Sequence, residues 1–269
     1  MINKKIGFIG CGNMGTAIIG GLLKAGLFAE GDIMASTVVE ADVQRMKDAY
    51  GIEVTFDNTK IADFADIILL AVKPNVFPVV IPQIKDCIKD GTLILSIAAG
   101  QTIEKIEALF ERKIHLVRIM PNTPALVGAS MSALCKNSLV TDEEMEIALQ
   151  IFNSFGEAEV VPESLMDVVT GISGSSPAYV YMFIEAMADA AVADGMPRAQ
   201  AYKFAAQAVL GSAKMVLETG EHPGKLKDNV CSPGGTTIAA VAVLEEEGLR
   251  SAVIKGVRAC TEMSAKMSK

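Results

Sequence analysis

Apolar residues follow two different patterns along this chain of 269 residues, and the change between them divides it. Up to about residue 162, short unbroken apolar runs alternate with stretches whose apolar positions recur at three and four. Lys5-Ile6-Gly7-Phe8-Ile9, Ile67 to Val72 (IILLAV), Gly91 to Ser96 (GTLILS) and His115 to Ile119 (HLVRI) read as buried parallel strands. Asp32 to Ala35 and Val54-Thr55 are shorter candidates. Helices are predicted over Met14 to Lys24, over Val39 to Tyr50 and from Asp57-Asn58 onward, with Asn58 as a cap or a ligand for the adenosine side of a cofactor. Ala129 to Cys135 and Glu157 to Val161 add two strands around a helix from Asp142 to Ser154. Thr141 or Asp142 is its natural cap, and acids fill its first turn.

From Glu163 the strand patterns vanish. Pro177 to Asp194, Arg198 to Thr219 and Thr236 to Glu247 are all helical, and Tyr202, Ala205, Val209, Ala213 and Val216 form one apolar stripe. The pattern predicts an α/β domain with a mostly parallel sheet over residues 1–162 and an all-α domain over 163–269. Helices this apolar and alanine-rich leave surface that their own domain does not cover. Dimerisation through this half follows as the expectation.

Composition narrows the function classes. The formal charge is −8, so no basic face for nucleic acid or acidic lipid is expected. Five cysteines, at 11, 87, 135, 231 and 260, include no C-x-x-C pair, which argues against a zinc site or a disulfide scaffold. With His115 and His222 alone, a histidine-rich metal site is excluded, and His115 reads as structural because it starts a strand. The apolar stretch from Ala178 to Gly195 carries Glu185, Asp189 and Asp194, as a buried helix does and a membrane span does not. Ile2 to Lys5 leads straight into the first strand without a secretory pattern. A cytoplasmic location is expected.

The chemistry begins at Gly10-Cys11-Gly12-Asn13-Met14-Gly15, set between a strand and a helix. In that context Gly-x-Gly-x-x-Gly is a dinucleotide-binding turn. The first glycine permits the turn, the second admits a pyrophosphate and the third allows close helix packing, with the phosphates on the helix N-terminus. After the second strand, where an NAD-binding unit places an acid on the ribose 2′-hydroxyl, this chain has Ser36-Thr37. Glu40 comes a little later. Loss of the acid at the position itself removes the group that would repel a 2′-phosphate, so NADPH is favoured over NADH, although no arginine stands beside the pair. Ser36-Thr37 also suits capping of the next helix. Three strand ends converge on the cofactor: Ala71-Val72-Lys73-Pro74, Ile97-Ala98-Ala99 and Met120-Pro121-Asn122-Thr123-Pro124. Two polar runs interrupt the helical half, a flexible one at Gly171 to Pro177 (GISGSSP) and another at Lys227 to Thr237 (KDNVCSPGGTT). Each ends at a helix start and is either an anion site, suited to a substrate carboxylate, or an ordinary capped loop.

Over essentially its full length the chain resembles the pyrroline-5-carboxylate reductases. The resemblance is carried by the glycine motif, by Ala71-Val72-Lys73-Pro74, by Asn122-Thr123-Pro124 and by Gly174-Ser175-Ser176-Pro177-Ala178-Tyr179. Its most specific part runs from Leu226-Lys227-Asp228 through Ser232-Pro233-Gly234-Gly235-Thr236-Thr237 to Leu244-Glu245. The resemblance implies a Rossmann-type domain for NADPH, with NADH possible, and a helical domain that interlocks with a second subunit in a homodimer or a larger assembly of dimers. It assigns cofactor contacts to Ile9, Gly10, Cys11, Gly12, Asn13, Met14, Ser36, Asn58, Ala71, Val72, Lys73, Pro74, Ile97, Ala98 and Ala99. Substrate contacts fall to Glu163, Asn229, Ser232, Gly234, Gly235, Thr236 and Thr237, with Ser232 on the carboxylate. Ser176 departs from the glycine common in the family.

The reaction so implied is hydride transfer to the cyclic imine of 1-pyrroline-5-carboxylate, giving L-proline. It needs orientation, a carboxylate clamp and a polar group near the nitrogen, but no metal. Thr237 is the candidate beside the nitrogen, its alternative role being a helix cap. Lys73 is expected to contact the nicotinamide end through its backbone, and Glu163 either orients substrate or is a surface acid. A 3-hydroxyisobutyrate-type dehydrogenase would need a lysine in the helix from Pro177, where Pro177 to Phe183 has none. A non-catalytic nucleotide sensor would need no second anion site.

Overall fold

The alternating runs become eight strands in one sheet, ordered β3-β2-β1-β4-β5-β6-β7-β8. A computed structural model describes residues 1–268. The strands are β1 (Ile6–Ile9), β2 (Ile33–Ser36), β3 (Glu53–Thr55), β4 (Ile67–Leu70), β5 (Leu93–Ser96), β6 (His115–Met120), β7 (Ser130–Lys136) and β8 (Gly156–Val160). All neighbours are parallel except β6 and β7. Between them come α1 (Asn13–Lys24), α2 (Glu40–Tyr50), α3 (Asn58–Phe64), α4 (Phe77–Ile84), α5 (Ile103–Phe110) and α6 (Asp142–Asn153).

Side chains alternate across the central strands, so both faces of the sheet are apolar and each takes a layer of helices. Phe8, Leu69, Leu95 and Val117 join Ile18, Leu22, Met46, Ile151 and Phe152 of α1, α2 and α6 on one face. Ile68, Ile94 and Leu116 join Ile61, Phe77, Ile81, Ile106 and Phe110 of α3, α4 and α5 on the other. Close packing at β1 depends on Gly7, where a Cβ would stand 2.4 Å from the Ile61 side chain. The Thr141 cap expected on α6 is there, as a reciprocal capping box with Glu144, and Glu144 also bonds His115 Nδ1 at 2.9 Å.

Several expectations are corrected. The cap of α3 is Asp57, whose carboxylate accepts from the Thr59 amide at 2.9 Å, so Asn58 is already inside the helix. Gly171 to Pro177 is helical rather than a flexible run. Thr170–Gly174 forms a π-helical turn between α7 (Met166–Val169) and α8 (Ser176–Ala193). Serine suits such a turn as well as a loop, because its hydroxyl can return its bond to a carbonyl one turn back, as Ser173 does to Val169. After α9 (Arg198–Thr219), α10 (Pro223–Val230) extends into the stretch read as a polar run, so Lys227 to Val230 are helical. His222 caps α10, its Nδ1 accepting from the Gly224 amide at 3.0 Å. Helix α11 (Thr236–Glu246) is followed by α12 (Leu249–Met267), which the apolar pattern did not single out.

By packing, the chain forms two units: Met1–Ser175 together with the segment from Cys260 onward, and Ser176–Ala259. This division falls later than the change of pattern at residue 162. Met166 is buried with Ala133 and Cys135 of β7, and the Ser264 hydroxyl bonds Asp167 at 2.6 Å within the same unit. In the helical unit α8 and α9 pack on each other, with Ala188, Ala201 and Ala205 buried and an Arg198–Asp189 ion pair beside them. Of the predicted stripe on α9, Ala205 is buried, whereas Tyr202 is exposed in the single chain. Phe183, Phe204, Leu210, Ile254 and Leu217, the last 82% exposed, face outward too. Among the described residues no helix is long and apolar enough to cross a membrane.

Candidate active site

Strand order reverses between β1 and β4, whose successors lead to opposite edges of the sheet. Ligands of open parallel sheets sit beyond the strand ends at such a point. A cleft of about 840 Å³ opens there, and every residue of the expected cofactor set lines it, from Ile9 at the end of β1 to Ala99 after β5. Thr37, Val38, Asp42, Met120, Pro121 and Thr123 line it as well.

The glycine turn explains why the cleft suits a dinucleotide. Gly10 has φ +98°, and a Cβ there would press on Val72 at 2.8 Å. At Gly15 a Cβ would stand 2.6 Å from the Gly10 carbonyl, so helix and turn meet only through glycine. Gly12 is different, since beyond its own chain neighbours no protein atom lies within 4 Å of where its Cβ would be. It caps α1 without a side chain, and the first turn of α1 holds no acid. The first amides of a helix lack intrahelical acceptors and carry the positive end of its dipole. A cradle of open space over such amides fits a pyrophosphate. Cys11 is buried in this turn, and burial pushes its thiol up, so it is no thiolate at neutral pH.

Toward the adenosine side, the Ser36 hydroxyl donates to Asn58 Oδ1 at 2.6 Å, and Asn58 Nδ2 donates to Gln83 at 2.8 Å. The Thr37 hydroxyl donates to Asp42 Oδ2 at 3.1 Å. Arg45, one turn along α2, donates to Asp42 Oδ1 at 2.6 Å and to the Cys11 carbonyl at 3.1 Å. An acid thus stands against Thr37, where none was expected, and Arg45 pairs with that acid from α2. Lys73 follows β4 at the mouth of the cleft, exposed and ahead of a short helical turn at Pro74–Val76. At the other end, Asn122 ties the loop after β6 to Ser173, its Nδ2 donating to that carbonyl at 3.0 Å. Glu163 is no loose surface acid. Its Oε1 accepts from the Ile103 amide at 2.8 Å and from Arg118 at 3.0 Å, Arg118 being buried on β6.

In the helical unit, Ser232, Gly234, Gly235, Thr236 and Thr237 gather in one tight turn at the N-terminus of α11. Pro233 is followed by Gly234 at φ +67°, and the Gly235 amide returns to the Ser232 carbonyl at 3.0 Å, as in a type II turn. A Cβ on Gly235 would meet the Ser232 hydroxyl at 2.6 Å. Gly235 is the cap of α11, so Thr237 lies inside the helix and does not cap it. Asn229 sits in the last turn of α10.

A family model described as pyrroline-5-carboxylate reductase dimerisation matches residues 163–267, and one described as NADP oxidoreductase, coenzyme F420-dependent, matches residues 5–100. The chain is 55% identical over 268 residues to the pyrroline-5-carboxylate reductase of Escherichia coli, with all of both chains covered. This chain belongs to the pyrroline-5-carboxylate reductase family. A reductase of that name from Methanosarcina acetivorans is 46% identical over the whole of both chains. Among solved structures, the pyrroline carboxylate reductase of Plasmodium falciparum with NADP bound superposes with a TM-score of 0.91 at 33% identity. The pyrroline-5-carboxylate reductase of Coxiella burnetii gives 0.94 at 34%, and both cover all of each chain.

Asp42, Arg45 and Arg118 hold polar contacts around these sites that the sequence alone did not single out. Asp42 and Arg45 have the spacing of a helical ion pair, within a stretch that reads only as a short amphipathic helix. Arg118 carried the clearest signal, a lone charge in an otherwise apolar strand, which is rarely buried unless paired.

Proposed function

We propose that the protein reduces 1-pyrroline-5-carboxylate to L-proline with a hydride from NADPH, NADH being the alternative donor. What carries this reading is the cleft at the β1–β4 reversal, floored by the Gly12 cradle, in a chain whose whole length is shared with the family. Gly10, Gly12 and Gly15 hold the pyrophosphate on α1. Ser36 and Asn58 meet the adenosine ribose, and Ala71, Val72, Pro74, Ile97, Ala98 and Ala99 bound the nicotinamide end with small or apolar surface. The nicotinamide, when bound, supplies the hydride.

Ser232 and the amides of α11 take the substrate carboxylate, supported by the tight turn that Pro233 and Gly234 impose. Asn229, Gly234, Gly235 and Thr236 complete that side, and Thr237 hydrogen-bonds the ring nitrogen; Glu163 is proposed as a further substrate contact. The imine carbon accepts the hydride, the C=N electron pair moves to nitrogen, and one proton taken up there gives the amine. Orientation accounts for such catalysis without a covalent nucleophile. Cys135, which burial pushes up to about 12, stays a neutral thiol.

We infer that the enzyme works as a homodimer or an assembly of dimers, because the helical unit leaves Phe204, Leu210 and Leu217 uncovered in the single chain. Free cysteines among the described residues suit a cytoplasmic, reducing setting. The test is oxidation of NADPH at 340 nm on addition of pyrroline-5-carboxylate, repeated with NADH. Imine-dependent turnover with proline as product is expected. Nucleotide binding without imine-dependent oxidation of either donor refutes the reading.

A further inference from the structure

The adenosine end of the cleft holds an acid, with an arginine paired behind it, that nothing in the proposed chemistry employs. Asp42 lines the cleft in the first turn of α2, beside Thr37 and Val38. Its Oδ2 accepts from the Thr37 hydroxyl at 3.1 Å and its Oδ1 from Arg45 at 2.6 Å. The Arg45 guanidinium reaches across to the glycine turn, donating to the Cys11 carbonyl at 3.1 Å and to the Thr16 hydroxyl at 3.3 Å. Its Nε also donates to Asp42 Oδ1 at 3.2 Å, and its side chain remains 45% exposed.

Thr37 is less available than its residue type suggests. Its proton is given to Asp42, and its oxygen already accepts from the Val39 amide at 3.1 Å. A phosphate arriving here finds no free donor on Thr37, a carboxylate at close range, and a guanidinium behind that carboxylate. A hydroxyl arriving at the same place finds the carboxylate as an acceptor. In dinucleotide folds this is where the ribose 2′ substituent lies, just past the second strand.

We propose that Asp42 and Arg45 together set the choice between NADPH and NADH, Arg45 drawing the 2′-phosphate and Asp42 accepting from the 2′-hydroxyl. This rests on the nucleotide site described above. The two residues act in opposite directions, so their substitution must shift the preference in opposite directions. Arg45→Met removes the cation and leaves the carboxylate to repel phosphate. Asp42→Asn removes the repulsion, frees the guanidinium from its partner and weakens the acceptor for a hydroxyl. A charge-assisted contact of this kind shifts affinity by about tenfold.

The experiment is calorimetric titration of the full-length protein with adenosine 2′,5′-bisphosphate and with 5′-AMP, which report the 2′ position without turnover. Arg45→Met is expected to weaken the bisphosphate about tenfold while leaving 5′-AMP within about twofold, and Arg45→Lys to retain most of the wild-type ratio. Asp42→Asn is expected to tighten the bisphosphate and weaken 5′-AMP. The ratio of the two ligands is read on one sample, so a loss of folded protein does not imitate the effect. If both Arg45→Met and Asp42→Asn leave the ratio within twofold of wild type, the proposal is overturned. Shifted ratios in a protein that never reduces the imine would uphold this proposal and sink the reductase reading instead. Normal turnover with an unmoved ratio would do the reverse.

Discussion

The ion pair between Arg118 on β6 and Glu163, in the turn that follows β8, predicts an asymmetric response to removing its partners. Arg118 is 6% exposed and Glu163 is 36% exposed, so the two charges sit on opposite sides of the boundary between core and water. Replacing Glu163 by Ala leaves a guanidinium in the core with no counter-charge and also takes the acceptor from the Ile103 amide. Stranding a buried charge costs about 3–5 kcal/mol. Replacing Arg118 by Met keeps most of the packed stem, and the carboxylate left behind recovers hydration through its exposed side. The cost should fall to about 1–3 kcal/mol, that of a lost hydrogen bond to a charged group. The double replacement removes the stranded cation altogether and should be more stable than Glu163→Ala alone. Urea unfolding of all three variants at one protomer concentration measures this, the fixed concentration mattering because self-association adds to apparent stability. Equal costs for the single replacements, or a double variant weaker than Glu163→Ala, would refute the assignment of the buried charge to Arg118.

Two further outcomes follow from the same structure. Gly12→Ala should fold with nearly wild-type stability in the absence of nucleotide, since its Cβ meets no protein atom beyond its chain neighbours, yet lose NADPH affinity by tenfold or more; Gly15→Ala, pressed 2.6 Å from the Gly10 carbonyl, should destabilise the protein itself. Thermal melts with and without NADPH separate the two, and a Gly12→Ala protein that NADPH stabilises as it does wild type would contradict the cradle. Acid stability should depend on Glu144: burial pushes its carboxyl up, but hydrogen bonds from His115 and Thr141 outweigh this and hold it below the ordinary 4.5. A depressed carboxyl contributes stability above its unfolded value and loses it as pH falls through the folded one. Melting temperature should therefore drop below about pH 4.5, and Glu144→Gln should flatten that drop; an unchanged slope would show that other groups carry it.

How far the site was legible in the sequence depended on the range over which each feature is determined. The glycine turn, the strand ends and the turn through Pro233-Gly234-Gly235 are local, fixed by backbone that few residues but glycine and proline adopt, so the residues announce them. Strands β4, β5 and β6 were equally plain, because burial on both faces leaves unbroken apolar runs. Helices α4 and α5 were not marked. Phe77–Ile84 carries Pro78 and Pro82, and Ile103–Phe110 is barely two turns long, so neither shows a full period. The GISGSSP run looked mobile because serine and glycine serve loops and tightly packed helices alike. A Cβ on Gly174 would lie 2.5 Å from the Met120 side chain, a contact visible only once β6 is in place.

The electrostatic features needed the fold more than any other. Arg45 stands beyond the whole first half of α2 from Thr37, and only the helical turn brings it back to the Cys11 carbonyl. Arg118 and Glu163 are separated by two strands and a helix, and their pairing depends on the register that sets Arg118 between Ser96 and Cys135. A motif thus identifies where the backbone will hold a phosphate, whereas the charges that discriminate one phosphate from another come from elements that the motif does not contain. It follows that chains sharing the glycine turn can differ in nucleotide preference without any change within it, and that α2, rather than the turn, is where such a difference is to be sought in this protein.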